Sequence, residues 1–103
     1  MKFSKFTWIV FTVTVADPGV FTSADHELYA GDTIQLATTG ALPTGLAVDT
    51  TYYVILDGYT ADTFQISETL GGDAITTTGT QSGAHTWIKK NRARVSATYE
   101  NNR

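Results

Sequence analysis

The hydrophobic residues of this chain alternate with polar residues over short stretches, which is the period-two pattern of half-buried β-strands. We expect residues 2–15 to form the first and longest strand. Apolar residues occupy one face of this strand at every second position: Ile9, Phe11, Val13 and Val15. The other face also begins with apolar residues, Phe6, Trp8 and Val10. We therefore expect this end of the strand to be covered on both sides, for example by another subunit.

Further short strands follow, and residues that favour turns separate them. We expect them at residues 20–22, 32–37, 51–56, 63–67 and 85–89, with a short edge strand at 74–77 and a last strand or arm at 92–99. The turn Asp57-Gly58 predicts a hairpin between residues 51–56 and 63–67, with Phe64 and Ile66 facing inward. In the loop at residues 23–31, Leu28 and Tyr29 are the expected apolar anchors. The regular spacing of the strands favours a small barrel or sandwich.

The predicted fold class is all-β, a small antiparallel β-barrel or sandwich with an N-terminal strand and a C-terminal arm extending from it. A chain of 103 residues fits a single domain. We divide it into an N-terminal strand or arm (residues 1–19), a barrel module (20–88) and a basic C-terminal strand or arm (89–103). The core of so small a domain is thin, so burial against partner subunits would stabilise it.

The charges are strongly segregated along the chain. Residues 6–88 contain nine Asp and Glu and no Lys or Arg, whereas all seven Lys and Arg lie near the two ends. This pattern indicates that the ends contact something acidic while the body faces water. Two alternatives stay open: the cations lie in solvated termini, or they protect an edge strand from aggregation. The formal net charge of −3 makes nucleic acid an unlikely partner of the basic tail.

The sequence offers no convincing catalytic, metal or cofactor site. Cysteine is absent, which excludes thiolate ligands and cysteine nucleophiles. His26 and His85 are expected to be structural, and they could meet across the fold as a hydrogen-bonded pair. Asp57, Asp62 and Asp73 lack the spacing of a calcium loop, and capping of turns accounts for them. The apolar run at residues 6–15 is too short to span a bilayer, and threonines interrupt it as a secretion signal.

The middle of the chain carries an ordered series of motifs over about residues 20–87. They are ADHEL (residues 24–28), GDTIQL (31–36), TTGALPTGL (38–46), TYYV (51–54), DTFQIS (62–67) and GAHT (83–86). The series resembles a small module of bacteriophage structural proteins. The module is similar to a small β-barrel. This type of barrel in turn resembles the first catalytic-cysteine half-domain of ubiquitin-activating enzymes. The likeness concerns fold, so the resemblance implies a virion component and no catalysis.

The same motifs contain the residues that we expect to specify the fold. These are His26, Gly31, Leu42, Pro43, Gly45, Leu46, Tyr52, Tyr53, Phe64 and His85. Leu42 and Leu46 are expected to plug one end of the barrel, while Pro43 holds the loop between them extended. Tyr52 and Tyr53 point to opposite faces of their strand, so one ring can enter the core.

These observations predict a head decoration or cement protein, which binds the capsid surface and stabilises it. Its partner would be the major capsid protein or another virion protein, and it would be found in the virion after synthesis in the host cytoplasm. We expect a homo-oligomer, with a trimer at the capsid threefold positions as one form. The expected partner-binding residues are Phe3, Phe6, Trp8, Lys89, Lys90, Arg92 and Arg94. The alternative is a tail or receptor-binding module that contacts host glycan through Tyr29, Tyr52 and Tyr59.

Overall fold

The computed structural model describes residues 8–90, which form six β-strands. The strands are β1 (Ile9–Val13), β2 (Phe21–Thr22), β3 (Thr33–Thr38), β4 (Tyr52–Ile55), β5 (Thr63–Ser67) and β6 (His85–Lys89). All neighbouring strands pair antiparallel, and they close into a barrel in the order β1-β2-β5-β4-β3-β6. The predicted all-β antiparallel barrel is therefore confirmed.

Strand β1 completes the barrel by pairing on both sides. It pairs with β2 at Thr12 and Val13. On its other side it pairs with β6, where Ile9 lies opposite Trp87 and Phe11 opposite His85. The strand that we had assigned to the N-terminal segment is thus part of the barrel wall. Residues 1–7 and 91–103, with the strand expected at 92–99, lie outside the described residues.

The barrel is filled by large side chains from the inward positions of the strands. The expected inward residues Phe11, Ile34, Leu36, Phe64 and Ile66 are all buried, which confirms the period-two assignment in three strands. Aromatic rings form a continuous row through this core, with centroid distances of 4.8 Å from Phe11 to Phe21 and 5.2 Å from Phe21 to Phe64. Aromatic pairs at these distances add to the stability that burial provides.

One barrel end is closed by the long connection between β3 and β4. Pro43 is buried there, and Leu42 and Leu46 pack against the core, as the plug hypothesis requires. The ring of Tyr52 is also buried, and its hydroxyl oxygen accepts a hydrogen bond from the backbone N–H of Ala47 at 2.9 Å. Tyr53, on the opposite face, is half-buried. The connection is therefore fastened to the core rather than free in solvent.

Two local expectations are wrong. Residues 74–77 form no strand, because their polar groups bind separate partners instead of one ladder: Ile75 N–H donates to the Ile66 carbonyl, and the buried Thr77 hydroxyl donates to the Thr14 carbonyl at 2.6 Å. Tyr29 is not an apolar anchor, since it is 56% exposed whereas Leu28 is fully buried. Adjacent residues of an extended loop point apart, so only one of this pair reaches the core.

Candidate partner-binding surface

The two charged segments of the chain join the barrel side by side. β1 begins and β6 ends at the same end of the barrel, because they are antiparallel and Ile9 lies opposite Trp87. Residues 1–7 therefore enter at Trp8, and residues 91–103 leave after Lys90, at this shared end. We call it the terminal end. All seven Lys and Arg of the chain lie in these two segments or next to this end.

An apolar patch lies on the outer wall of the barrel at the terminal end. Trp8 is 45% exposed and Val10 is 65% exposed. Val10 projects from the outer face of β1, because Phe11 and Val13 occupy the inner one, and Trp8 directly precedes this strand. Ile88 lies on the outer face of the adjoining β6 and is half-buried. We call Trp8, Val10 and Ile88 the outer patch. The sequence pattern places Val10 on the same face as Trp8 and predicts that this face is covered, whereas Ile88 is not among the expected partner-binding residues.

The basic residues expected to bind a partner do not all face the same way. Lys90 is exposed beside the outer patch, and its backbone N–H donates to the Thr33 carbonyl of β3 at 2.8 Å. Lys89 points to the inner side instead, where its Nζ lies 3.5 Å from Oδ2 of the buried Asp32. Lys89 thus belongs to an internal ion pair. Phe3, Phe6, Arg92 and Arg94 lie outside residues 8–90, and their assignment stays a prediction.

A groove of about 310 Å³ opens at the terminal end, between the loop that follows β2 and the strands β1 and β6. Leu28, Trp87 and Ile9 supply its apolar lining, and the exposed Asp25 and Glu27 stand at its rim. We call it the terminal groove. Its volume is at the lower limit of small-ligand pockets, about 300–1,000 Å³.

A buried serine ties the floor of the groove to the barrel wall. The indole N–H of Trp87 donates to Ser23 Oγ at 3.1 Å, and the Ser23 hydroxyl donates to the Val10 carbonyl at 2.8 Å. Both Ser23 and Trp87 are 3% exposed. This pair of hydrogen bonds links β6 to β1 through the loop, so the groove is bounded by fixed side chains.

His26 shapes the loop at the groove and uses both ring nitrogens to do so. Its Nδ1 accepts the Leu28 N–H at 2.9 Å, which leaves Nε2–H to donate to the Thr60 carbonyl at 2.8 Å. Asp25 and Glu27 on either side adopt positive φ angles of 53° and 59°. The ring is thereby directed inward, while the two carboxylates stay at the surface. His26 thus acts as a hydrogen-bonded part of the fold.

His85 lies elsewhere in the core, so the expected pair of histidines is not formed. Its Nδ1 lies 2.8 Å from Thr38 Oγ1 and its Nε2 2.8 Å from Gln81 Oε1. Gln81 Nε2 in turn donates to the Val13 carbonyl at 2.8 Å. Burial lowers the pKa of His85 below its ordinary value of 6.5, which favours the neutral ring. The part of the chain from 8 to 90 holds no cluster of three or more His, Asp or Glu able to bind a metal ion.

The tyrosine platform expected for glycan binding is not present. Tyr52 is buried in the core, and the Tyr59 hydroxyl donates to the Leu28 carbonyl beneath the loop. Only Tyr29 of the three presents an exposed ring. Stacking against a sugar needs an accessible aromatic face, so these residues do not form a common binding surface.

Comparison of the chain with protein-family models, with curated proteins and with solved structures gave no significant match. Over the described residues, the structure has no helix of the length and hydropathy needed to cross a membrane. The features that bear on function are therefore the surfaces at the terminal end, the charge pattern and the motif series of the sequence.

Proposed function

We propose that this protein is a structural component of a bacteriophage particle, and that it is a head decoration protein which binds the capsid surface and stabilises it. Its partner is the major capsid protein or another virion protein, and it acts as a homo-oligomer in the virion. The proposal includes no catalytic role. One observation carries it: the exposed outer patch lies at the end of the barrel where the described residues begin, at Trp8, and end, at Lys90, and the sequence continues from both points into basic segments.

Exposed apolar side chains at one place on a small barrel support a docking role. Trp8 and Val10 lose contact with water only when another surface covers them. Tryptophan is also the residue that most often contributes strongly to a protein–protein interface. Val10 and Ile88 lie on regular strands and Trp8 directly precedes β1, so little ordering of this wall is required on binding.

The charge pattern supports an acidic partner. Lys90 adjoins the outer patch, and six of the seven Lys and Arg of the chain, all except the ion-paired Lys89, belong to residues 1–7 or 90–103 of the sequence. A second copy that faced the outer patch with its own outer patch would bring the cations of both copies together, and they would repel each other. A capsid surface rich in Asp and Glu would instead attract them and speed association.

The proposal is tested by rebinding purified full-length protein to capsids that lack it. We expect saturable binding, and we expect Trp8→Ala to raise the Kd about 30-fold, as loss of a central aromatic anchor costs about 2 kcal/mol or more. Leu56→Ala is the matched control, because Leu56 is 75% exposed but follows β4, away from the outer patch. Absence of wild-type binding, or equal losses for both variants, would contradict the proposal.

Dependence on salt separates the charged from the apolar contribution. We expect Lys90→Gln to weaken capsid binding at low salt and to have a smaller effect at high salt, because exposed charges are screened over about 10 Å at 0.1 M. Trp8→Ala should weaken capsid binding equally at low and at high salt, because its contribution is apolar. Salt-independent binding of the wild type would remove the acidic partner from the proposal.

A further inference from the structure

The terminal groove differs in charge from the chain segments beside it. Its rim carries Asp25 and Glu27, and the Asp62 carboxylate lies next to them, since its Oδ1 accepts the Asp25 backbone N–H at 2.8 Å. Within residues 8–90, the Asp25 carboxylate has no hydrogen-bonding or ionic partner of its own. The positive charge of Lys89, which also lines the groove, is offset by the buried Asp32. The groove is thus apolar inside and negative at its rim.

These properties fit the side chain of an arginine or a lysine. Such side chains bury an aliphatic stem along apolar surface and keep the charged head among polar groups. In the groove, the half-buried Ile9 would contact the stem, and the exposed Asp25 would receive the head, with Glu27 adding negative charge beside it. Arginine is the better match, because its planar fork of donors can bind two carboxylate oxygens together.

We infer that the terminal groove binds the basic C-terminal segment of a second copy of this chain, through Arg92 or Arg94. The chain supplies the complementary charge itself, since every cation outside the internal pair lies in its end segments. Because groove and segments share the terminal end, two copies can exchange segments reciprocally, and three can pass them around a ring. The inference adds to the proposed function the way in which copies join.

The geometry at Lys90 favours a second copy over the same chain. The Lys90 N–H donates to the Thr33 carbonyl, so the backbone is still held against β3 where it leaves the barrel. β3 flanks β6 on one side and β1, whose Ile9 lines the groove, flanks it on the other. At Lys90 the backbone is thus held on the side of β6 that is away from Ile9, which favours the segment of a second copy as the occupant of the groove.

The test uses three full-length variants and needs no capsid, so a failure of this inference can be told apart from a failure of capsid binding. The rim variant is Asp25→Asn with Glu27→Gln, and the tail variant is Arg92→Gln with Arg94→Gln. The control is Asp49→Asn with Asp73→Asn, which makes the same charge change at exposed acidic residues of other loops. Far-ultraviolet circular dichroism checks that all of them fold.

Sedimentation velocity over a range of concentrations then gives the self-association constant of each protein. We expect the wild type and the control to self-associate, and the rim and tail variants each to do so at least about tenfold more weakly. Mixing the rim variant with the tail variant should restore a complex, because one supplies the basic segment and the other the intact groove. A monomeric wild type, an unaffected rim variant or a mixture without a complex would each overturn the inference.

Discussion

Removal of the Ser23 hydroxyl tests the tie that holds the terminal end together. In Ser23→Ala, the indole N–H of Trp87 loses its acceptor and the Val10 carbonyl loses one donor. The substitution removes a single heavy atom, so it opens almost no cavity. Any large loss of stability therefore measures the cost of the broken hydrogen bonds rather than lost packing.

The size of the effect follows from the burial of the groups left behind. Trp87 is 3% exposed, so water does not readily replace the lost acceptor. A buried donor left unsatisfied costs about 1–3 kcal/mol. The hydrogen bond to Val10 lies on an exposed residue and is expected to add less. We therefore expect a loss of about 2 kcal/mol in the free energy of unfolding, which for a domain of this length lowers Tm by about 8 °C.

Urea unfolding followed by tryptophan fluorescence measures this loss directly. Ser82→Ala is the control, because Ser82 is exposed and the Ala41 N–H that bonds its Oγ also bonds its carbonyl. The control should change stability by less than about 0.5 kcal/mol. If Ser23→Ala lowers the free energy of unfolding no more than Ser82→Ala does, the Ser23 hydroxyl does not link β6 to β1 in the way described.

Three further predictions concern the barrel itself. His85 binds a proton less readily in the folded state, so its contribution to stability should be complete above about pH 6.5. As the pH drops from there toward the folded pKa, the free energy of unfolding should fall by up to about 1.4 kcal/mol per pH unit. His85→Gln should flatten the profile of Tm against pH between 8 and 5. Gly45→Ala should lower the free energy of unfolding by about 2–3 kcal/mol, because Gly45 has a φ of 112° and a new Cβ would lie 2.5 Å from the Thr76 carbonyl oxygen. The control Gly71→Ala, at a φ of 70° and with open space around the new Cβ, should lower it by only about 1 kcal/mol. Equal losses for the two variants would refute the clash. Phe64→Ala should cost about 3–5 kcal/mol in urea unfolding, since the side chain is fully buried between Phe21 and Trp87, and a loss below 1 kcal/mol would contradict its central place.

Strands with clear alternation and turn residues on both sides could be predicted from the sequence. The strands expected at residues 63–67 and 85–89 agree with β5 and β6 in both bounds. In β5 the inward residues Phe64 and Ile66 are large and apolar, and the outward Thr63 and Gln65 are polar; in β6 the inward Trp87 and the preceding turn residues indicate the strand. A shift by one residue would expose the whole inner face, so the pattern specifies the register strongly.

Features that depend on closure of the barrel could not be predicted in the same way. The terminal groove combines Ile9, Trp87 and a loop around residue 27, which meet only because β1 pairs with β6 at opposite ends of the described chain. Residues 74–77 looked like a strand because Ile75 and its threonine neighbours favour extended structure. Their hydrogen bonds to two different segments, β5 and residues 14–19, follow from tertiary packing, which the local pattern does not encode.

The most direct test of the central claim is a cryo-electron microscopy reconstruction of the source particle with this barrel located in the density. The account predicts many copies on the outer surface of the head, with Trp8 and Val10 against an acidic region of the capsid protein. Density for the barrel on the tail only, or heads in which the outer patch faces solvent, would contradict it.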